Sequence, residues 1–323
     1  MRAILLPELR GPDALRLDEV PEPVAGEDTV LIEVAAAGVS FPDLLLTRGE
    51  YQIQPEPPFV PGVECAGRVL QAPAGSGLEE GMRVAAMTGV GGGWAERAVA
   101  PAMLTFPVPD ALSDEQAAGF VMNYHTAWFA LARRARLQPG EVVLVHGAGG
   151  GVGTASIQVA KGLGARVIAV ASSERKADAA RQAGADAVVD PGDAWLDAVK
   201  EHTTRRGVDI VVDPVGGERF ADSVRALAPE GRLLVIGFAE GRIPELRMNR
   251  VLLRNADVVG VNWGGFLGHD PSILRAGRAA LDELIEAGHV APIVGEVYPL
   301  EQAAQALKDL DGRRAVGKLV LRV

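Results

Sequence analysis

Cysteine is almost missing. Cys65 is the only one in 323 residues, so no disulfide can close within a chain, which fits a reducing cytoplasm. Long apolar runs are missing as well. The N-terminal segment has too short an apolar run for a signal peptide, and nothing approaches the roughly 18 apolar residues of a membrane helix. Basic charge is in deficit. The 32 Lys and Arg face 42 Asp and Glu, a net charge of −10, whereas a binder of nucleic-acid backbone carries a basic surface. The five histidines (His125, His146, His202, His269 and His289) show no paired metal-ligand spacing. No internal repeat, low-complexity linker or Ser/His/Asp hydrolase arrangement stands out. These absences set the expectation of a cytoplasmic protein with no membrane, nucleic-acid or metal partner.

What is present is an ordinary globular composition, 48% hydrophobic and 23% charged, on a chain long enough for two domains. The first part reads as short strands separated by Gly and Pro: Val30–Ala37, then a loop through Ser40 and Pro42, then segments around Gly62–Leu70, Met82–Met87 and Trp94–Val99. Near Ser113 the rhythm changes. Ser113 with Gln116 three residues on marks a helix start, and helix is predicted through about Ala135. Strands at Val142–His146, Val167–Ala171, Ala187–Val189, Val208–Val212, Arg232–Ile236 and Val258–Val261 then alternate with helical stretches, which predicts a parallel sheet covered on both faces. The tail from Asp270 carries two helical segments and a last strand, Lys318–Val323.

The strongest local signal is the apolar strand Val142–Val145 running into glycines. Gly147, Gly150 and Gly153, with Gly151 and Val152 among them, have the spacing of a dinucleotide fingerprint, followed by a helix. One glycine permits the tight turn, one lets backbone approach a pyrophosphate, and one lets helix pack on strand. After the next strand, Ala171 falls where an NAD site places an acid. Ser172, Ser173, Arg175 and Lys176 follow it, a set suited to a 2′-phosphate, so NADPH is the expected cofactor. Glu174 leaves a second reading open, since it could reach ribose hydroxyls if turned inward. Arg175 and Lys176 could also belong to a solvated helix face.

Several stretches together resemble the medium-chain dehydrogenase/reductase superfamily and, within it, the zinc-independent quinone oxidoreductases. They include Ala36–Asp43, Pro58–Glu64, Gly92–Glu96, the glycine loop, Ala183–Asp186, Gly231–Phe238, Val259–Val261 with Trp263-Gly264, and Gly317–Val320. The likeness covers essentially the whole chain. It implies an α/β protein in two parts: a Rossmann doubly wound parallel sheet over 116–265, and a GroES-like β-rich catalytic domain over 1–115, completed by 266–323. The cofactor is expected in the cleft between them, and a homodimer is expected through the strand near Val258–Val261. Zinc-dependent relatives carry a cysteine at the place of Ser40, a histidine at Val63 and a sulfur ligand near Ala118, which this chain lacks.

The resemblance also implies roles. Ser40, Tyr51 and Phe238 fall at substrate positions, with Ser40 and Leu45 replacing a common asparagine and tyrosine. Asn123, Thr126, Gly237, Phe238, Asn262 and Lys318 fall near the cofactor, and Pro191 replaces a tyrosine that often touches it. For Tyr51 the other reading is a half-buried aromatic, for Asn123 a local cap, and for His125 a structural histidine. The implied activity is NADPH-dependent reduction of a quinone with no indispensable catalytic side chain. Reduction of an enone or enoyl thioester, or a non-enzymatic dinucleotide-binding structural or RNA-binding duty, are the alternatives.

Overall fold

The computed structural model describes residues 1–323, which divide into two compact units: Met1–Met122 with Pro292–Val323, and Asn123–Ala291. In the first unit, β1 (Arg2–Leu5) and β2 (Arg16–Glu19) form an antiparallel pair. β3 (Thr29–Val39) leads into α1 (Phe41–Arg48), and β4 (Glu64–Gln71), β5 (Arg83–Met87), β6 (Arg97–Pro101) and β7 (Thr105–Pro107) follow, before the short α2 (Asp114–Ala117). The helix α3 (Val121–Trp128) begins where the second unit does. That unit runs β8 (Val142–Val145), α4 (Gly151–Gly162), β9 (Arg166–Val170), α5 (Glu174–Gln182), β10 (Ala187–Val189), α6 (Trp195–His202), β11 (Val208–Asp213), α7 (Phe220–Ala226), β12 (Leu227–Val235), α8 (Asn249–Arg254), β13 (Asp257–Gly260), α9 (Trp263–Phe266) and α10 (Ser272–Glu286). The chain returns to the first unit with β14 (Val294–Pro299), α11 (Ala303–Asp311) and β15 (Lys318–Arg322).

The second unit is the expected doubly wound sheet. Its six strands lie in the order β10-β9-β8-β11-β12-β13, every pairing parallel. β8 and β11 are central and almost wholly buried, so β8 is Val and Leu throughout and β11 is Val or Ile at four of its six positions, the others being Asp209 and Asp213. Strand order reverses beside β8, which puts the ligand-accepting crevice of such a sheet at its carboxyl end. The first unit holds a seven-stranded sheet, with β14-β15-β3-β4-β5-β7 in order and β6 on β3. Alternate residues of β3 (Val30, Ile32, Val34) enter its core with Leu44, Trp94 and Leu321, each such side chain contributing about 1.5–3 kcal/mol on burial.

Three expectations differ from what is seen. The segment after Val39 is a helix, not a loop: Pro42 sits in the first turn, where its missing N–H costs nothing, and Asp43 reaches back to accept the Ser40 N–H at 2.8 Å. The strands β1, β2, β7 and β14 have no counterpart in the sequence reading, the side chains of β14 being mostly exposed. The boundaries read at 115/116 and 265/266 fall instead at 122/123 and 291/292. The reason for the second is α10: Leu284 packs on Gly162 of α4, and Gly277 lies against the Trp128 ring, so α10 belongs with the parallel sheet. The Ser113 cap is as expected, with the Gln116 N–H donating to Ser113 Oγ at 3.2 Å and the Ser113 N–H to Gln116 Oε1 at 3.0 Å.

Candidate active site

The glycine loop assigns each glycine a task. Gly147 has φ +58°, the left-handed region that a tight turn out of β8 requires. A side chain at Gly153 would press its first carbon to 2.2 Å from the Gly147 carbonyl oxygen, so this position lets α4 sit against the turn. At Gly151 that carbon would meet the Asn123 amide at 2.5 Å, and at Gly149 it would meet the Lys176 stem at 2.4 Å. Gly150 is different. Its nearest neighbour would be the Gly147 carbonyl at 3.5 Å, ordinary contact, and its backbone is extended. The space over Gly150 is therefore open where the 12-residue helix α4 begins, with its free N–H groups and positive dipole end. Lys176 thus lies against Gly149 and Asn123 against Gly151, on either side of this open position.

After β9, Ala171 is buried and apolar, and Ser172, Ser173 and Arg175 are exposed. Ser173 caps α5, its Oγ accepting the Lys176 N–H at 3.4 Å. Glu174 is engaged on the outer face of α5, where its Oε1 accepts from Arg181 Nη1 at 2.6 Å. Gly237 and Phe238 form a turn bonded to the β11 loop through the Ala239 N–H to the Pro214 carbonyl (3.1 Å) and the Glu240 N–H to the Val215 carbonyl (2.9 Å). Phe238 rests against Gly216. Thr126 is half-buried on α3. Asn262 is exposed and caps α9, its Oδ1 accepting the Gly265 N–H at 3.0 Å.

His125 and His146 are both buried in the second unit. His125 is fully buried and stacks on Trp263 with ring centroids 5.1 Å apart. His146 is buried at the end of β8, its Nε2 2.9 Å from Ser223 Oγ. Because that hydroxyl donates to the Arg219 carbonyl at 3.1 Å, the imidazole carries its proton on Nε2 and donates to Ser223.

In the first unit, the predicted positions Ser40 and Lys318 meet in a buried polar cluster. Lys318 Nζ donates to Ser40 Oγ at 2.6 Å and to Glu64 Oε1 at 2.5 Å. Ser40 Oγ donates to the same carboxylate oxygen at 3.0 Å, and Glu64 Oε2 accepts the Met122 N–H at 3.0 Å. Gly38 and Gly119 leave room for the Lys318 stem, since a first side-chain carbon would come within 2.8 Å of it at Gly38 and 2.6 Å at Gly119. The Lys318 ammonium is thus turned inward rather than presented to solvent. Asp43 lies beside this cluster, its two oxygens accepting the Ser40 and Val63 N–H groups at 2.8 and 3.0 Å. Burial pushes the Asp43 carboxyl up to about 7, against the pull of the Ser40 amide and the Lys318 charge. Tyr51 is half-buried. Burial first, and the Asp43 charge second, raise its phenol above the usual range.

Glu64 and Asp43 were not singled out from sequence as functional groups. The Ser40-to-Asp43 spacing of a helix start was the available signal for Asp43. Glu64 offered none, because its partner lies 254 residues away. No group of three or more His, Cys, Asp and Glu side chains is arranged to hold a metal, and Ser40, Val63 and Ala118 are all buried without forming such a set. No helix is long and apolar enough to cross a membrane.

A parallel nucleotide-type sheet with this loop, joined to a β-rich unit at both chain ends, defines a medium-chain dehydrogenase/reductase. Residues 26–110 match the alcohol dehydrogenase GroES-like domain, and residues 151–276 match the zinc-binding dehydrogenase family. A bovine (Bos taurus) quinone oxidoreductase-like protein 2 is 37% identical over 99% of this chain and 92% of its own length. The crystal structure of a probable oxidoreductase from Mycobacterium abscessus is 45% identical, with a TM-score of 0.91 over 100% of this chain and 99% of that one. The quinone oxidoreductase of Thermus thermophilus, solved also in complex with NADPH, is 36% identical, with a TM-score of 0.86 over the whole of both chains. The chain belongs to the quinone oxidoreductase family of the medium-chain dehydrogenase/reductase superfamily.

Proposed function

We propose that this protein is an NADPH-dependent reductase of quinones and similarly electrophilic acceptors, working without a metal ion. The observation that carries the reading is the open space over Gly150. Protein atoms fill the space at Gly149, Gly151 and Gly153, whereas Gly150 is bare beside the free N–H groups of α4. A pyrophosphate fits that cradle. When bound, NADPH supplies the hydride that the acceptor takes up. The backbone of Gly150, Gly151, Val152 and Gly153 would hold the pyrophosphate. Asn123, Thr126, Gly237, Phe238 and Asn262 are assigned to the nicotinamide half. Ser172, Ser173, Arg175 and Lys176 are assigned to the 2′-phosphate. The apolar Ala171 and the outward ion pair of Glu174 support NADPH over NADH, as does the NADPH complex of the Thermus relative.

Metal independence rests on residue chemistry. A catalytic zinc takes about three protein ligands. Here the Ser40 oxygen is occupied by Lys318 and Glu64, and Val63 and Ala118 have no donor atom. Acceptors that are already electrophilic suit such a site better than alcohols, which need polarising. In the first unit, Ser40 and Tyr51 are assigned to the acceptor side. Lys318 serves by holding Ser40 rather than by touching the cofactor. Tyr51, its phenol raised above the usual range, is a weak proton donor, so solvent protonates the stabilised oxyanion that a quinone becomes.

Consumption of NADPH and NADH against a panel of quinones and enones, with and without chelator, tests this. Quinone reduction preferring NADPH and persisting in chelator is expected. One tightly held zinc per chain, with activity lost on its removal, refutes it. A homodimer is part of the proposal. The edge strand β13 has Val258 exposed, and adjoining α8 buries none of its residues and exposes Leu252 and Leu253. A monomer by light scattering would count against it.

A further inference from the structure

The sequence places the 2′-phosphate contacts on the turn after β9. The structure brings a further cation to the same end of the sheet. Arg219, in the connection between β11 and α7, donates from Nε to the Pro191 carbonyl at 3.1 Å. Pro191 follows β10, which runs parallel to β9 with Val189 level with Val170. The ladder continues through the Ala171 N–H to the Val189 carbonyl at 3.1 Å. The Arg219 guanidinium tied to the Pro191 carbonyl therefore stands just past the carboxyl end of β10, the same end of the sheet as the turn of Ser172 and Ser173 that follows its parallel neighbour β9.

The charge is held in place but left unpaired. Arg219 is exposed, and its two terminal nitrogens make no ion pair. The acids that could take them are directed elsewhere: Asp190 accepts the Gly192 N–H at 2.8 Å, and Glu218 pairs with Arg242 at 2.8 Å. The Arg219 backbone is anchored too, since its carbonyl accepts the Ser223 hydroxyl that His146 also engages. Burial first holds the His146 imidazole below its usual range, Asp213 opposes that, and the Arg219 charge adds to the lowering.

We propose that Arg219 is a determinant of NADPH selectivity, its free terminal N–H groups pairing with the 2′-phosphate of the adenosine ribose alongside Lys176. The proposal rests on the cofactor reading given above. A planar guanidinium with two free donors matches the oxygens of a phosphate monoester, and the hydroxyl of NADH gives it nothing comparable.

The test is equilibrium binding of NADPH, NADH, 2′,5′-ADP and 5′-AMP to the wild-type chain and to Arg219→Met, by calorimetry. Loss of one charge-assisted contact should weaken NADPH and 2′,5′-ADP about tenfold while NADH and 5′-AMP change by less than about twofold. An unchanged melting temperature is expected, because the side chain is exposed. If the wild type prefers NADPH and Arg219→Met keeps that preference, or weakens both dinucleotides equally, the role of Arg219 is overturned while the cofactor reading stands. If the wild type shows no preference for NADPH, the cofactor reading itself fails.

Discussion

Replacing Gly150 by Val separates cofactor binding from folding more cleanly than any other change in the glycine loop. The added first carbon meets nothing nearer than the Gly147 carbonyl at 3.5 Å, and the backbone at φ −94°, ψ 177° is one that any residue adopts. Stability should therefore move little. Losing a glycine cap costs a few tenths to about 1 kcal/mol, and the stiffer unfolded chain returns about 0.4–1 kcal/mol. Binding should move greatly, because the isopropyl group fills the space a pyrophosphate needs. Losing two charge-assisted N–H contacts of about 1.5–3 kcal/mol each predicts roughly 10²- to 10⁴-fold weaker NADPH. The contrast is Gly153→Val, whose first carbon would come 2.2 Å from backbone oxygen and should lower the melting temperature before binding is even tested. The assay is NADPH fluorescence titration beside thermal melting for both variants. If Gly150→Val melts like the wild type and binds NADPH within about threefold of it, well short of the loss of one such contact, the cradle is not the pyrophosphate site.

Glu64→Gln should destabilise the first unit by about 3–5 kcal/mol in urea unfolding, because it strands the buried Lys318 charge, and the double variant with Lys318→Met should recover part of that; a single variant as stable as the wild type would show that the pair is not buried as described. Asp43, raised from 3.8 to about 7, contributes stability that is full below its unfolded value and is lost as pH rises through about 7. The stability advantage of the wild type over Asp43→Asn should therefore shrink by about 4 kcal/mol between about pH 4 and about pH 8, most of it below about pH 7, and an advantage independent of pH would refute it. Tyr51→Phe should reduce turnover about tenfold or less, below the range of essential acid catalysis. A thousandfold loss in single-turnover hydride transfer, with NADPH and quinone bound normally, would make Tyr51 the general acid.

The parallel sheet was legible because its strands are nearly continuous apolar runs and its helices alternate with them at the right spacing. Ala187–Val189 has the same bounds in both readings, and the other strands shift by a few residues at their ends. Each miss has its own physical cause. α1 hides behind Pro42, which reads as a breaker until it is recognised as a first-turn residue. β14 exposes four of its six residues to solvent or nearly so, leaving no alternation to detect. The boundary at 291 depends on which surface α10 buries, and a helix's own sequence shows that it has an apolar face without showing what the face meets.

Legibility of the candidate site follows the same division between backbone and side chain. The turn at Gly147 and the close helix approach at Gly153 could be read from spacing, because they concern backbone geometry within seven residues of chain. The inward turn of Lys318 could not. It depends on β15 pairing antiparallel with β3, which sets Leu319 opposite Val39 and so delivers Lys318 to Ser40 and Glu64. Ser40 read alone is a small polar residue open to a substrate. In the fold its hydroxyl accepts from an ammonium and donates to a carboxylate, which leaves it no proton to give. Substrate contact through Ser40 must then be as an acceptor, or through its neighbours, and a quinone oxygen, itself an acceptor, gains nothing from it. On the proposed reading Ser40 offers a quinone no polar handle, and shape and electrophilicity become the properties by which acceptors should be ranked.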